Sequence, residues 1–277
     1  MKLAIITLFS AAVFSAQPIY AANNTIHIAT EGAYKPWSFV NGKGNLDGFE
    51  IDFVNALCSR IKANCKITAQ NWDGLIPSLN SGKFDAIVAA MSITPKRQKV
   101  ISFSEAYAAS PNTFMVLKEG PLSDMNSTGK TINLVGNKVK VAKELALLSK
   151  QLKGKTIGVQ GSTTASSFVH NKLKGVNVRE YKTFDDSELD LLAGRIDAII
   201  ANITVLNDSL TRKDAKIAKI SGPILQGAPF NSVAIGLRKD DAQLKSRLNS
   251  GIKSLREDGT IKKLSEKWFG VDITPKS

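Results

Sequence analysis

The stretch LNSGKFDAIVAA at Leu79–Ala90 decides the fold, because the chain repeats it as LAGRIDAIIAN at Leu192–Asn202. Aligned on Gly82 and Gly194, which lie 112 residues apart, the copies share the pattern small, Gly, cation, apolar, Asp, Ala, Ile, apolar, Ala. The separation is too long for a solenoid, whose repeats span about 20–50 residues. The repeat therefore predicts two similar lobes within one chain.

A second pair of similar runs, TIHIAT at Thr25–Thr30 and KTIGVQ at Lys155–Gln160, leads in each case into a Gly-bearing turn. Strand and helix patterns alternate along the chain, which is typical of α/β proteins with mostly parallel sheets. A cleft between two such lobes is a common place for a small ligand.

Hydrophobic periodicity and turn residues predict the elements along the chain. Strands are expected at 26–30, 66–70, 84–90, 155–160, 176–182 and 196–201, helices at 49–63, 75–80, 95–100, 162–173, 187–193 and 240–269 (broken near Asp258–Gly259), a loop at 31–48, and a basic amphipathic connector at 130–152.

The first residues predict an export signal. Lys2 supplies a positive charge, Leu3–Phe14 is apolar, and small residues close the segment near Ala21–Ala22. The apolar part is shorter than the roughly 20 residues that span a membrane. We expect residues 1–22 to be removed and the remaining chain to be exported to the periplasm. A buried N-terminal strand is the alternative.

The two cysteines, Cys58 and Cys65, fit an oxidising compartment, where such a pair tends to close into a disulfide. Two buried thiols are the alternative. The cysteines and the two histidines, His27 and His170, are too scattered for a zinc site, so no metal is expected.

The formal net charge of +13 raises the possibility of nucleic-acid binding. The lysines are nevertheless spread singly along predicted helices, often beside acids as in Lys239–Asp240–Asp241, and no stripe of arginines and aromatics is visible. We therefore predict a solvated basic surface without a nucleic-acid partner. Catalytic triads, Walker loops and dinucleotide-binding motifs are also missing from the sequence, so no cofactor is expected.

Five motifs occur together over nearly the whole mature chain: GFEID at 48–52, WDGLIPSL at 72–79, SITPKR at 92–97, GVQGSTT at 158–164, and DGT at 258–260 with Trp268-Phe269. Together they resemble the periplasmic solute-binding proteins of ABC importers for polar amino acids. The branch for lysine, arginine, ornithine and histidine is similar, as are its octopine- and nopaline-binding relatives. The Cys58/Cys65 spacing resembles the disulfide of that branch.

The resemblance implies a two-lobed α/β fold in which each lobe is a mostly parallel sheet flanked by helices and two hinge strands join the lobes. We expect residues 23–113 plus 236–277 to form the first, discontinuous lobe and residues 114–235 the second. The crossings are expected at Asn112–Lys118 and Ser232–Arg238.

The resemblance also assigns carboxylate binding to Arg97, since a guanidinium can hold a carboxylate through two parallel hydrogen bonds. A surface helix arginine is the alternative. Gly161, Ser162, Thr163 and Thr164 lie at a predicted helix start, where free N–H groups and hydroxyls suit an anion. Ordinary helix capping is compatible with the same residues.

Four positions bear on the identity of the ligand. Ser92 follows the first copy of the repeat, and its hydroxyl is expected at the ligand. Ala89 and Ala90 stand where the basic amino-acid branch usually carries serines, and Asn202 where an aspartate usually pairs with the α-ammonium. These three departures resemble the opine-binding relatives, because a substituted amine with an extra carboxylate is locally neutral and suits an amide. Sequence drift around an unchanged ligand is the alternative.

The far end of the ligand is expected at Glu31, which matches the acid that holds the distal cation in the basic amino-acid branch. Glu50 either contributes there or is a solvated acid at a helix start. Tyr34 and Trp72 resemble the aromatic pair that encloses the ligand side chain. Trp72 in the core is the alternative.

Binding is the leading class of function. The expected mechanism is hinge closure around an amino acid or opine, followed by delivery to an inner-membrane ABC permease that a separate ATPase drives. A monomer is expected. The alternatives are a dehydratase on the same two-lobed fold, with Glu31 as the candidate acid or base, and a ligand-sensing module.

Overall fold

The computed structural model describes residues 24–275. The predicted export signal at residues 1–22 lies outside this range. Within it, every helix is too short or too polar to cross a membrane.

The strands are β1 (Thr25–Thr30), β2 (Ala33–Tyr34), β3 (Ser38–Val40), β4 (Leu46–Asp47), β5 (Asn64–Ala69), β6 (Ala86–Ile87), β7 (Ser102–Ala108), β8 (Asn112–Leu117), β9 (Thr131–Asn133), β10 (Thr156–Gln160), β11 (Asn177–Tyr181), β12 (Ala198–Asn202), β13 (Ala218–Gln226) and β14 (Val233–Leu237). The α-helices are α1 (Phe49–Arg60), α2 (Leu75–Asn80), α3 (Pro95–Gln98), α4 (Lys138–Gln151), α5 (Thr164–Lys172), α6 (Phe184–Leu192), α7 (Ile203–Ser209), α8 (Ala242–Glu257) and α9 (Thr260–Phe269). Short 3₁₀ turns lie at Trp72–Gly74 and Asp214–Ile217.

Two larger sheets organise the molecule, as the two-lobed α/β prediction requires. The first has the strand order β5-β1-β6-β14-β7, and the second β11-β10-β12-β8-β13-β9. In each sheet three neighbouring strands run parallel, and each of the next two strands is antiparallel to the strand before it in the order given. In the second sheet the last strand, β9, is parallel to β13. Helices flank both sheets. One buried apolar cluster lies within each lobe, and a third joins residues of both lobes.

The internal repeat has the same structure in both lobes. Each copy ends a helix, turns at a glycine with positive φ (Gly82 at 79° and Gly194 at 70°), and enters a strand. The aspartate before the strand accepts a hydrogen bond from the neighbouring parallel strand, at 2.9 Å from His27 N to Asp85 Oδ2 and 2.7 Å from Thr156 N to Asp197 Oδ2. The shared Gly and Asp therefore fix the turn and the strand pairing.

Several predicted elements were wrong in extent. The loop predicted at 31–48 contains a small antiparallel sheet of β2, β3 and β4, whose strands of two or three residues are too short to show alternation. The connector at 130–152 contains strand β9 as well as helix α4. Strands β7 and β13 and helix α7 were missed. Strand β13 contains Gly222-Pro223, where its pairing register shifts. This dipeptide is typical of a turn, so the sequence did not predict a strand here.

The predicted strand at 84–90 is also shorter, because the chain leaves the sheet after Ile87. Ala90 has φ +46°, and the following residues bond to the start of β14 instead. Ile93 N donates to Ser232 O at 3.0 Å, and Ala234 N donates to Met91 O at 3.1 Å. This turn brings residues 89–92 to the edge of the lobe.

The chain changes sheet between β7 and β8 and returns between β13 and β14. Both runs that were predicted as crossings, Asn112–Lys118 and Ser232–Arg238, contribute a strand to a single sheet, and the chain changes sheet just before each of them. The lobe boundaries themselves stay a prediction.

The cysteine pair is closed. Cys58 in α1 and Cys65 in β5 form a disulfide with Cα atoms 6.1 Å apart. The alternative of two buried thiols is therefore wrong.

Candidate ligand-binding cleft

A cleft lies between the carboxyl ends of the parallel strands of the two sheets, where α/β folds usually hold their ligands. It contains about 560 Å³ of atom-free space, including space open to solvent. Nine of the predicted residues line it: Glu31, Tyr34, Trp72, Ala89, Ala90, Ser92, Arg97, Thr163 and Thr164.

Arg97 is placed by a short helix. Thr94 caps α3 by accepting a hydrogen bond from Arg97 N at 3.2 Å, and Pro95 occupies its first turn. The guanidinium donates to Ser92 O at 2.9 Å and, across the cleft, to Ser162 O at 3.3 Å. It also lies 5.1 Å from the centre of the Trp72 ring. Arg97 therefore touches both lobes.

Arg97 is a cation without a carboxylate partner among residues 24–275, since none of the ion pairs there includes it. Burial lowers the pKa of Arg97 to about 10, so the group stays charged at neutral pH. Two carbonyl oxygens and a ring face do not neutralise a partly buried charge, which favours a carboxylate as an additional partner.

The opposite wall is the turn that begins α5. Thr163 is the N-cap: its hydroxyl donates to Gln160 O at 2.7 Å and accepts from Ser166 N at 3.1 Å. The first N–H groups of a helix have no intrahelical acceptor, so Thr164 and Ala165 present backbone donors at this wall. The helix start therefore offers an anion its backbone rather than the Thr163 hydroxyl.

Gly161 and Ser162, which were expected at the ligand, do not line the cleft. Ser162 takes part through its carbonyl, which accepts the bond from Arg97. A Cβ at Gly161 would come no closer than 3.5 Å to its neighbours, so this position does not require glycine for lack of space.

Glu31 lies at the end of β1 and is 8% exposed. Desolvation by burial raises the pKa of Glu31 to about 7, while a hydrogen bond from Gln160 opposes the rise and the charges of Asp185 and Asp73 add to it. Gln160 Nε2 stands 2.5 Å from Glu31 Oε1 and comes from the other lobe. Gln160 was not singled out by sequence reasoning, although it belongs to the GVQGSTT motif.

The aromatic residues sit differently from a simple sandwich. Trp72 faces the Arg97 guanidinium, whereas Tyr34 packs edge-on against Phe184 at a centroid distance of 6.2 Å. The Tyr34 hydroxyl accepts a hydrogen bond from Asn202 N at 3.3 Å. Phe184 is a cleft residue that the sequence did not reveal.

Asn202 does not line the cleft and is 2% exposed. Its side chain caps α7, accepting from Thr204 N at 2.8 Å, and donates to Ser110 Oγ at 2.6 Å. Its polar atoms are therefore occupied by the protein. The remaining lining residues were missed in the sequence: Ser110, Asn112, Gln160, Ala165, Phe184, Ile200 and Ala201.

The lobes contact each other directly around the cleft. Trp37 Nε1 donates to Thr204 Oγ1 at 2.9 Å, and Lys35 Nζ lies 3.4 Å from Asp208 Oδ2. Together with the bonds from Arg97 and Gln160, these contacts describe a closed arrangement. In the described part of the chain, no group of three or more His, Cys, Asp or Glu side chains is arranged to hold a metal ion.

The two sheets and the cleft between them define the class of protein: its structural neighbours are two-lobed periplasmic amino-acid-binding proteins. The chain belongs to the bacterial extracellular solute-binding proteins, family 3, whose model matches residues 26–271.

Relatives agree over almost their whole lengths. The octopine-binding periplasmic protein of Rhizobium meliloti is 47% identical over 274 residues, covering 92% of this chain and 93% of the relative. The L-arginine-binding protein of Pseudomonas aeruginosa is 33% identical, with 98% of both chains covered. A solved structure of an ancestral arginine-binding protein bound to glutamine is 29% identical, with a TM-score of 0.74 and 89% and 98% coverage.

Proposed function

We propose that this chain is the periplasmic substrate-binding component of an ABC importer and that it captures a basic amino acid or an arginine- or ornithine-derived opine. One observation carries the proposal: the Arg97 guanidinium bonds both walls of the cleft and has no carboxylate partner in the described chain. The similarity to octopine- and arginine-binding proteins supports the same class of ligand.

In the proposed complex, the ligand carboxylate binds Arg97 and the N–H groups at the start of α5. The distal cation binds Glu31, whose carboxylate ionises as the cation arrives, because a nearby opposite charge lowers its raised pKa. The first lobe receives the ligand, and the α5 turn and Gln160 close over it.

Charge balance favours an opine over a free basic amino acid. Of the described residues that line the cleft, two carry charged side chains, Glu31 and Arg97. Octopine carries a guanidinium, a secondary ammonium and two carboxylates, so its net charge is zero and matches that pair. Arginine carries one more positive charge than negative, and its α-ammonium would lack a carboxylate partner.

The same proposal includes three further points: the protein delivers its ligand to an inner-membrane permease, acts as a monomer and uses no cofactor. These points are inferred from the family. The dehydratase alternative is not favoured, because the relatives described above are binding proteins. A sensing role would use the same closure.

Calorimetric titration tests the proposal with octopine, nopaline, arginine, ornithine, lysine and histidine. We expect octopine to bind more tightly than the free amino acids. Tight binding of arginine with no response to either opine would remove the opine assignment. No binding by the whole panel would remove the ligand class.

A further inference from the structure

Glu50 is a fully buried carboxylate one layer behind the cleft. It lies in the first turn of α1, is 0% exposed and does not line the cleft. It is therefore neither a solvated helix acid nor a direct ligand contact, the two roles that its sequence position suggested.

Both hydrogen bonds of the Glu50 side chain go to one oxygen. Oε1 accepts from Ala90 N at 2.6 Å and from the hydroxyl of Tyr107. Tyr107 is itself buried and stacks on Phe53 at a centroid distance of 4.4 Å, so this donor is fixed in place. Oε2 is buried and has no hydrogen-bond partner among the described residues. Burying Oε2 without a hydrogen-bond partner is unfavourable for folding. The presence of the carboxylate here therefore points to a function for the hydrogen bonds that Oε1 accepts.

Its partner, Ala90, is where the chain turns into the cleft. Ala90 has φ +46°, a left-handed conformation that an L residue with a Cβ disfavours. The turn leads from Ala89 to Ser92. Ala89, Ala90 and Ser92 all line the cleft, and Ser92 O accepts a hydrogen bond from the Arg97 guanidinium. The geometry of the ligand site thus depends on the conformation at Ala90.

We propose that Glu50 is a positioning residue of the ligand site: its carboxylate holds the Ala90 N–H and so fixes the left-handed turn that places Ala89, Ala90 and Ser92 along the cleft. This inference rests on the proposed function for its affinity readout. Burial raises the pKa of Glu50 to about 7, while the hydrogen bonds from Tyr107 and Ala90 oppose the rise, so the side chain is mostly ionised only above that pH. The ionised form is suited to the task, because a hydrogen bond to a charged group is stronger than one between neutral groups.

The first test needs no ligand. In an amide NMR spectrum recorded at about pH 8, where Glu50 is mostly ionised, the Ala90 proton resonance is expected far downfield, and Glu50→Gln should move it upfield, because a neutral acceptor makes a weaker bond. An unchanged Ala90 resonance in Glu50→Gln would overturn the inference even if the ligand remained unknown.

The second test measures octopine and arginine affinity by calorimetry for Glu50→Ala, Ala90→Gly and the double variant. Glu50→Ala should weaken binding by at least about tenfold, the loss expected when a hydrogen bond to a charged group no longer fixes the site. In the Ala90→Gly background the same change should cost clearly less affinity, because glycine adopts a positive φ without strain. Equal losses in both backgrounds would contradict a positioning role.

Glu188→Gln is the matched control. Glu188 is also a buried carboxylate, 2% exposed, but it bonds Ser209 and Arg212 within the second lobe and does not line the cleft. This variant should lower the melting temperature and leave the affinity unchanged. If Glu50→Ala fails to fold, Glu50→Gln replaces it with an expected affinity loss of about threefold. Wild-type affinity in folded Glu50→Gln, or an equal loss in Glu188→Gln, would overturn the proposal. Failure of the wild-type chain to bind any of the panel would instead overturn the proposed function.

Discussion

Replacing Arg97 by Gln should separate ligand binding from folding. In the structure the guanidinium makes two hydrogen bonds to carbonyl oxygens and contacts Trp72, and its burial lowers its pKa to about 10. The contacts stabilise the fold and the desolvation of the charge opposes them. We expect the two effects to offset each other to within about 1 kcal/mol, or about 2–4 °C in melting temperature.

The effect on binding should be far larger. Removing one partner of a buried, hydrogen-bonded charge pair costs about 2–5 kcal/mol, which is about 30- to 5,000-fold in Kd. Octopine at 100 times its Kd should stabilise the wild-type protein by about 2.7 kcal/mol and raise its melting temperature by about 5–10 °C. At the same octopine concentration Arg97→Gln should lose nearly all of this rise.

The assay is thermal unfolding with and without octopine, with calorimetric Kd values for both proteins. Arg179→Gln is the control, because Arg179 is exposed in the second lobe and pairs with Asp190. It should retain the ligand-induced rise. An Arg97→Gln variant that binds with wild-type affinity would refute the assigned site.

Three further predictions follow from other parts of the structure. Because burial raises the pKa of Glu31 from 4.5 to about 7, its contribution to the stability of the unliganded protein is largest below pH 4.5 and is lost as pH rises through about 7. Melting temperatures between pH 5 and 8 should therefore depend less steeply on pH in Glu31→Gln, and an unchanged slope would show that Glu31 is ionised throughout. Gln160→Leu removes the bond to Glu31 across the cleft, so the closed arrangement should be less stable and the radius of gyration in X-ray scattering should rise. A radius equal to that of the wild type would show that this bond does not hold the lobes together. Changing Cys58 and Cys65 to Ser should lower the free energy of unfolding by about 2–3 kcal/mol, as expected for a short loop, and leave the Kd unchanged. A weaker Kd would show that the disulfide shapes the cleft.

The two-lobed architecture could be predicted because the sequence contains the same turn-and-strand motif twice. The shared Gly and Asp of the two repeat copies produce the same turn and the same strand pairing in both lobes. Parallel strands then place their carboxyl ends at one edge of each sheet, and this brings Glu31 and Ala89 to the same cleft as Thr163. The pattern could not show β2–β4, because strands of two or three residues contain too few positions to alternate.

The details of the cleft depend on contacts between distant residues, which local patterns do not contain. The amide of Asn202 looked like a ligand contact, yet it caps α7 and bonds Ser110. Glu50 was expected either in the pocket or as a solvated acid at a helix start, yet it is buried and accepts a hydrogen bond from Ala90 N at 2.6 Å, 40 residues along the chain. Gln160 gave no signal of its own, because its role arises only when the two lobes meet.

The most direct test of the central claim compares octopine and arginine with agmatine, which keeps the guanidinium of arginine and lacks its carboxylate. If Arg97 and the start of α5 hold the ligand carboxylate, calorimetry on the wild-type protein should give tight binding of octopine, weaker binding of arginine and no measurable binding of agmatine. Agmatine bound as tightly as octopine would contradict the claim.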